Sequence, residues 1–473
     1  VRLAQFLLLS SLPCGAVHRQ DSPSGSGGAG SIIISEIMYH PYHRPETAED
    51  TSREWIELYN NGRQAVSLAG WRLSDGVEFV FPDVVLEPQS YLVVAADVDT
   101  FRGRYPGTDL VAGGWGGWLS NSGEAIELVD AAGTSIDRVE YADEGDWAQR
   151  ELGSLDHGHR GWTWSDDHDG QGRSLELIDP NMPNEYGQNW GAAAVEGGTP
   201  GRANSVRSTR TAPLILDVAH APAIPTSREP VTIRARLVSA ESADMQAVLH
   251  YRADGAGEFT SLAMPKDRLY RAEIPPQGDG TVVEFYIEAA DGAGHSRTWP
   301  APSLVDGALR QATNALYIVD DSFDQQTSHT PGAHPVYYLI MTDSERTELD
   351  QIGDEQYSGD LFAAEPMSDA QMNATFISVD GTGANVRYQA GVRNRGNRKR
   401  ADPPMSYRVN LAGDRPWKDV RALNLNSKYP HLERMASILF QMSGIPAANV
   451  APVRLKVNAG EPDCLMKVIG AAT

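Results

Sequence analysis

The sequence predicts a mainly β protein, in which two successive β-sandwiches precede a smaller region that mixes strands and helices. Short segments of alternating apolar and polar residues recur between residues 31 and 300, and turn-forming pairs such as Asn61-Gly62 and Asp75-Gly76 separate them. The chain is rich in Gly (45), Pro (29) and Tyr (17), which suits short strands joined by many turns. Near the end, from Leu432 to Gly444, apolar residues recur at helical spacing, so a helix is expected there.

Length and charge narrow the class of protein. The 473 residues suffice for about three domains, and a composition of 41% hydrophobic and 22% charged residues suits folded cores. The formal net charge of -23 repels nucleic acid and anionic membranes, so neither is expected as a partner. We interpret the charge as keeping a secreted protein soluble; divalent cations at carboxylate clusters are the alternative.

The first residues predict export. Val1-Arg2 precedes a short apolar run, 3–12 (LAQFLLLSSL), and small residues follow at Gly15 and Ala16, a pattern typical of a signal peptide at 1–18. The run is too short to span a bilayer, and no later segment is long enough for a transmembrane helix. Lipid anchoring at Cys14 is disfavoured by the preceding Pro13. The chain has two cysteines, which exclude a disulfide framework.

Two β units are expected after a Gly- and Ser-rich linker at 19–30. The first spans 31–204, and the glutamates within its strands (Glu57, Glu127 and Glu140) are expected to face solvent by period-two alternation. Its predicted strands are 32–34, 54–59, 66–68, 71–73, 79–81, 91–95, 125–129 and 136–141. The second unit spans 212–302, and its length and alternation suit an immunoglobulin or fibronectin type III sandwich.

A third region, 314–473, is expected to be α+β. Thr342 and the acids that follow it predict a helix start, and Gly444 predicts the end of the helix that begins near Leu432. Its predicted strands are 315–319, 336–341, 376–379, 386–392 and 407–411. We also expect this region to expose apolar surface.

Residues 31–204 resemble the lamin-tail domain. The resemblance is carried, in order, by 34–39 (ISEIMY), 54–60 (EWIELYN), 68–75 (LAGWRLSD), 119–124 (LSNSGE) and 198–201 (GTPG) with Asn204. It implies an immunoglobulin-like sandwich that acts as a binding or tethering module in exported bacterial proteins, with an unknown protein or carbohydrate ligand at the cell surface.

Tryptophans are concentrated in this first unit. Aromatic faces can stack on sugar rings, so a binding surface is predicted from Trp115, Trp118, Trp162 and Trp164. The alternative is that these side chains pack internally, as is expected of Trp55 and Trp71.

The segment 166–172 (DDHDGQG) has carboxylates at alternate positions, which resembles a calcium loop and nominates Asp167 and Asp169 as Ca²⁺ ligands. The bidentate Glu that an EF-hand needs is missing, so a Gly-rich turn is favoured over a metal site. The nearby histidines His157, His159 and His168 are expected to be exposed loop residues.

The third region resembles the N-terminal part of the CotH family of spore-coat-type protein kinases. The motifs are 386–397 (VRYQAGVRNRGN), 406–410 (SYRVN), 423–427 (LNLNS), 444–447 (GIPA) and 453–458 (VRLKVN). The resemblance implies ATP and Mg²⁺ as cofactors, because phosphoryl transfer needs cationic groups near the phosphates and acids that hold the metal.

Basic residues supply the first of these requirements. Seven basic residues and one acid lie between Arg387 and Arg408, and the candidate phosphate-binding set is Arg393, Arg395, Arg398, Lys399 and Arg400. A solvated charged surface is the alternative. Two features depart from the family: 403–405 (PPM) replace the usual lysine-bearing segment, and 459–473 do not continue the pattern towards the acid-bearing half. An incomplete kinase-like lobe is therefore expected, and no catalytic residue is assigned.

Three functions follow from these patterns. We expect an exported modular binding or scaffold protein with an inactive kinase-like lobe. The alternatives are an ATP-dependent kinase of the CotH family whose catalytic half is missing here, through a frameshift or premature end, and an adhesin that binds glycans or surfaces.

Overall fold

The computed structural model describes residues 31–44, 46–240, 244–323, 334–353, 367–396, 400, 403, 405–458 and 463–470, with the last segment described for its backbone. The predicted signal peptide (1–18) and linker (19–30) lie outside the described residues, as do Arg398 and Lys399.

The first region folds as strands with one short α-helix. The strands are β1 (Ile32–Met38), β2 (Trp55–Asn60), β3 (Val66–Ser67), β4 (Arg72–Ser74), β5 (Val77–Val80), β6 (Val85–Leu86), β7 (Tyr91–Ala95), β8 (Val111–Gly113), β9 (Gly116–Gly117), β10 (Ala125–Val129), β11 (Ser135–Glu140), β12 (Arg150–Leu152), β13 (Trp162–Trp164), β14 (Leu175–Leu177) and β15 (Trp190–Ala192). The helix α1 is Val98–Arg104, and 3-10 helices lie at Thr51–Arg53, Gly145–Trp147 and Gly187–Asn189.

Two sheets of this region pack face to face. One has the order β15-β14-β1-β2-β7-β8 and the other β11-β10-β4-β5-β9. Alternation places Ile56 and Leu58 of β2 against Leu73 and Ile126 of the second sheet, in one continuous core. Burying each such side chain contributes about 1.5–3 kcal/mol. The predicted sandwich is therefore confirmed, and Trp55 and Trp71 are buried as expected.

The second region also consists of strands. They are β16 (Leu214–Ala221), β17 (Val231–Val238), β18 (Gln246–Ala253), β19 (Thr260–Ala263), β20 (Tyr270–Ile274), β21 (Val282–Ala290), β22 (Ser296–Trp299), β23 (Ser303–Val305), β24 (Ala308–Arg310) and β25 (Ala315–Ile318). A sheet β16-β17-β20 faces a sheet β19-β18-β21-β22. Strand β25 differs from the expectation: it pairs with β21 of this sandwich, whereas the sequence grouped it with the third region.

The third region is α+β, as expected. Its strands are β26 (Val336–Ile340), β27 (Met372–Asp380), β28 (Gly383–Asn394), β29 (Tyr407–Asn410), β30 (Ala422–Asn426), β31 (Val450–Val457) and β32 (Asp463–Gly470). They form one closed sheet in the order β26-β27-β28-β29-β30-β32-β31. The helices are α2 (Asp343–Gln351) and α3 (Pro430–Met442). The hydroxyl of Thr342 caps α2, and Gly444 follows α3 with φ +74°, so both predicted helix boundaries are confirmed.

Helix α3 carries the exposed apolar surface expected of this region. Leu432, Met435, Leu439 and Met442 are between 56% and 80% exposed. No helix in the described part of the chain has the length and apolarity that crossing a membrane requires.

The three regions contact one another at a common junction. Strand β12 of the first region pairs in parallel with β23 of the second. The Trp162 N–H donates to the Gln371 carbonyl (2.7 Å), which ties β13 to the segment preceding β27. Asp146 pairs with Arg415, and its N–H donates to Asp414 (3.0 Å). The side chains around these contacts therefore come from positions far apart in the sequence.

Candidate functional site

Three buried glutamates lie on the outer face of the first sheet. Glu36, Glu57 and Glu176 are all fully buried, so the expectation that Glu57 faces solvent is wrong. Alternation does place Glu57 on the face away from the core, but the closing segment 198–206 covers that face. Glu140 is exposed as expected, and Glu127 is half-buried.

This glutamate cluster, defined as Glu36, Glu57 and Glu176, binds the closing segment. Glu36 accepts bonds from the Ser174 hydroxyl (2.5 Å) and the Thr199 N–H (2.8 Å). Glu57 accepts from the Gly201 N–H (2.6 Å), and Glu176 from the Thr199 hydroxyl (2.7 Å). Because these carboxyl groups are occupied by protein donors, the cluster is structural rather than a ligand site.

Burial dominates the acidity of the cluster. It raises the pKa of Glu36 to about 8, an effect to which the neighbouring Glu176 carboxylate adds. Burial also raises the pKa of Glu57 well above its usual range, with Glu36 as the next cause. Glu36 and Glu57 therefore hold protons at pH values where exposed glutamates are ionised.

The segment 166–172 forms the Gly-rich turn that the sequence favoured. The Asp169 N–H donates to the Asp166 carbonyl (2.8 Å), and Gly170 and Gly172 have φ +83° and +87°. Asp169 bonds His40 Nδ1 (2.5 Å), whereas the nearest cation to Asp167 is Arg173 at 3.9 Å. In the described ranges, no group of three or more His, Cys, Asp or Glu side chains is arranged to hold a metal ion.

His168 in this turn is buried, which corrects the expectation of an exposed loop histidine. Its Nδ1 bonds the Tyr39 hydroxyl (2.8 Å), and its Nε2 bonds the Trp147 carbonyl (3.0 Å). His159 is half-buried beside Glu348 (2.9 Å), and His157 is exposed.

The four candidate tryptophans do not share one surface. Trp115 packs in the sandwich core. Trp162 is also buried, and its Nε1–H donates to Glu345 (2.6 Å). Because both are buried, neither belongs to an exposed binding surface. Trp118 is 69% exposed but lies apart from the others, after β9. Trp164 is half-buried and lines a cleft at the junction of the regions.

The described basic residues of 386–408 bond to groups of the chain itself. Arg393 and Arg400 share the Asp369 carboxylate, both at 2.7 Å, and Arg395 donates to Asn426. Burial lowers the pKa of Arg393, and the neighbouring arginines add to this. Arg393 and Arg400 therefore lie around one acid, and Arg395 lies near Arg393.

The junction cleft encloses about 760 Å³, a volume within the usual range of small-molecule sites. The first two regions supply most of its lining, and the third contributes Gln389. We define it by the aromatic and basic side chains that line it: Trp147, Trp164, Trp190, Trp299, Arg150, Arg210 and Arg297.

Arg150 is the unusual member of the junction cleft. It lies directly opposite Trp164 on the β12–β13 pair, and its guanidinium stacks 4.6 Å from that ring. The residue is 4% exposed, and its Nε and Nη2 have no hydrogen-bond partner among the described residues. Burial lowers the pKa of Arg150 to about 10, against the charges of Glu144 and Glu345. Unpartnered donors on a buried charge cost roughly 1–3 kcal/mol or more.

A second cleft, of about 590 Å³, also lies at the junction, but its Arg387 and Arg415 are already bonded to groups of the chain. Its Arg415 is paired with Asp146, and its Arg387 donates to the carbonyls of Arg415 and Pro416 (both 3.0 Å). The junction cleft is therefore the better candidate for a ligand, since the Nε and Nη2 of its Arg150 have no hydrogen-bond partner among the described residues.

Sequence reasoning missed Arg150, Arg210 and Arg297 because no local motif surrounds them. They come from three separate segments that the junction brings together. The one available signal was the group of tryptophans after residue 140, of which Trp147, Trp164 and Trp190 line the cleft.

Comparison with known proteins identifies the front of the chain. Residues 26–143 match the Lamin Tail Domain family. This segment is a lamin-tail domain. The sheet that it forms continues beyond the match, because β14 and β15 add to the edge of β1. No curated protein matches the chain.

Solved structures match weakly. A cycloalternan-forming enzyme from Listeria monocytogenes, in complex with a pentasaccharide substrate, is 7% identical in sequence to this chain. The match covers 44% of this chain and 19% of the enzyme, and its TM-score is 0.17. Titin kinase with its flanking domains is 8% identical, with coverage of 55% and 37% and a TM-score of 0.16. The chicken CNTN1 FN1–FN3 domains are 8% identical, with coverage of 61% and 99% and a TM-score of 0.18. The chain thus spans less than two fifths of the first two proteins.

Proposed function

We propose that this chain is an exported bacterial binding or scaffold protein, in which the lamin-tail domain and the two following regions together present a ligand site. The observation that carries the proposal is the junction cleft, to which all three regions contribute side chains and in which a buried guanidinium has no partner among the described residues. Among the described residues that line it, His168 has both ring nitrogens bonded, to the Tyr39 hydroxyl and to the Trp147 carbonyl, so it is not placed to activate a hydroxyl of the cleft, which favours binding over chemistry.

In this proposal the third region, which resembles part of a CotH kinase, serves as a non-catalytic lobe. Supporting this role, Arg393 and Arg400 are neutralised by Asp369, and Arg395 bonds Asn426. A phosphate would have to compete with these contacts.

Titration of the full chain with Mg·ATP tests this part of the proposal. We expect no saturable heat of binding up to about 1 mM nucleotide. Saturable binding that is lost in Arg393→Gln, but kept in the surface control Arg202→Gln, would instead support the ATP-dependent kinase.

Binding is tested by a glycan array and a protein-ligand screen on the same full chain, since an adhesin and a protein scaffold differ in their ligand. Retention of a defined glycan or protein supports the proposed function. Absence of any retained ligand would overturn it, whether or not Mg·ATP binds.

A further inference from the structure

We propose that the junction cleft binds an acidic saccharide, whose carboxylate pairs with Arg150 and whose sugar ring lies against Trp164. The inference rests on the proposed binding function and specifies the ligand class of the same site.

Arg150 is a buried cation. The nearest acids act on it through space, without a hydrogen bond among the described residues. One of them, Glu345, is already occupied by the Trp162 Nε1–H (2.6 Å) and the Asn373 N–H (2.9 Å). A planar guanidinium in this state matches a carboxylate, which accepts two parallel hydrogen bonds.

The charged residues of the cleft also favour an anionic ligand. Arg210 and Arg297 add two cations to the cleft, and Arg297 Nε is also buried without a partner in the described ranges. Of the acids that line the cleft, Asp146 is paired with Arg415, and Asp167 lies 3.9 Å from Arg173. The cleft is therefore a local exception within a chain of net charge -23, and complementarity favours an anionic ligand.

Tryptophan side chains form one wall of the cleft. Trp164 is half-buried, while Trp147, Trp190 and Trp299 are each 4% exposed and enclose the cleft. Indole faces stack on ring-shaped ligands, which a bare inorganic anion cannot exploit. A carboxylate attached to a sugar ring uses both the cation and the aromatic wall, and the cleft volume accommodates a short oligosaccharide.

Binding to the full chain is tested by tryptophan fluorescence and calorimetry with three probes: trigalacturonate, neutral galactotriose and sulfate. We expect trigalacturonate to bind at least about tenfold more tightly than galactotriose, and sulfate to compete only weakly. Equal binding of the two sugars, full displacement by sulfate at similar concentrations, or no saturation by trigalacturonate would each overturn the inference.

Variants locate the site. Trp164→Leu and Arg210→Gln are expected to weaken trigalacturonate binding by about tenfold each. The matched controls Tyr42→Leu and Arg202→Gln lie outside the cleft, on exposed positions of the first region, and are expected to bind as the parent does. Arg150→Lys keeps the charge but loses the planar fork, so it is expected to weaken binding of the acidic sugar alone. Should that variant fail to fold, Trp164→Leu and Arg210→Gln still decide the matter.

The two proposals fail in different ways. If the array or screen identifies a neutral glycan or a protein while trigalacturonate does not bind, the acidic-saccharide inference falls and the binding function stands. If nothing is retained and trigalacturonate does not bind, both fall.

Discussion

The first region and the closed sheet of the third region use ionisable side chains in opposite ways. In the former, Glu36, Glu57 and Glu176 are buried, and donors from the closing segment satisfy them. In the latter, Arg393 and Arg400 meet around Asp369, whose side chain is 61% exposed. Buried carboxyl groups thus hold the closing segment through hydrogen bonds, and charged pairs lie where solvent exposure makes them cost little.

The largest expected effect is the loss of Glu36. In Glu36→Ala, the Thr199 N–H and the Ser174 hydroxyl lose their acceptor inside the protein. We expect the free energy of unfolding to fall by about 3 kcal/mol, as chemical denaturation would measure. The exposed Glu140→Ala is the matched control and should change stability by less than about 0.5 kcal/mol. Equal effects of the two substitutions would refute the structural role of the cluster.

The buried Glu36 carboxyl should also make the stability of the protein depend on pH. The folded-state pKa of Glu36, about 8, exceeds its ordinary value of 4.5, so the folded state holds a proton that the unfolded state releases. Its contribution to stability is present below pH 4.5 and is lost as pH rises to about 8. Denaturant melts across this window should show declining stability, and Glu36→Gln should flatten the decline. An unchanged slope in Glu36→Gln would contradict the assignment.

A substitution on the exposed face of helix α3 is expected to have a smaller effect on the free energy of unfolding. Met435 is 56% exposed on its apolar face, so Met435→Glu should alter the free energy of unfolding by less than about 1 kcal/mol while reducing aggregation at high concentration. Light scattering measures the second quantity. A large loss of stability would mean that this face is packed in solution.

The smallest expected effect concerns Asp369. Its pairs with Arg393 and Arg400 are screened by solvent, so Asp369→Asn should cost less than about 1 kcal/mol, and the cost should shrink in high salt. A cost as large as that of Glu36→Ala would remove the contrast between the two regions.

The sequence predicted the strands of the sandwich because alternation is strong where one face meets the core, as at Ile56 and Leu58. It failed at Glu57, because β2 is a central strand with both faces covered. The lamin-tail resemblance found the closing segment at 198–201, but local alternation could not show that this segment folds over the outer face.

Site prediction was limited for a similar reason. The basic run of 386–408 is conspicuous along the sequence, yet its described arginines are bonded internally. Arg150 is inconspicuous in the sequence, and its unpaired state depends on the packing of β12 against β23 and on neighbours from all three regions. Pairing across distant segments is a tertiary property that residue spacing does not encode.

The central claim, that the three regions jointly form the ligand site, is tested most directly by hydrogen exchange on the full chain with and without trigalacturonate. We expect slower exchange in 145–152 and 162–164 of the first region, in 296–302 of the second and around Gln389 of the third, and no change at 114–118. Protection confined to one region, or none at saturating sugar, would contradict the claim.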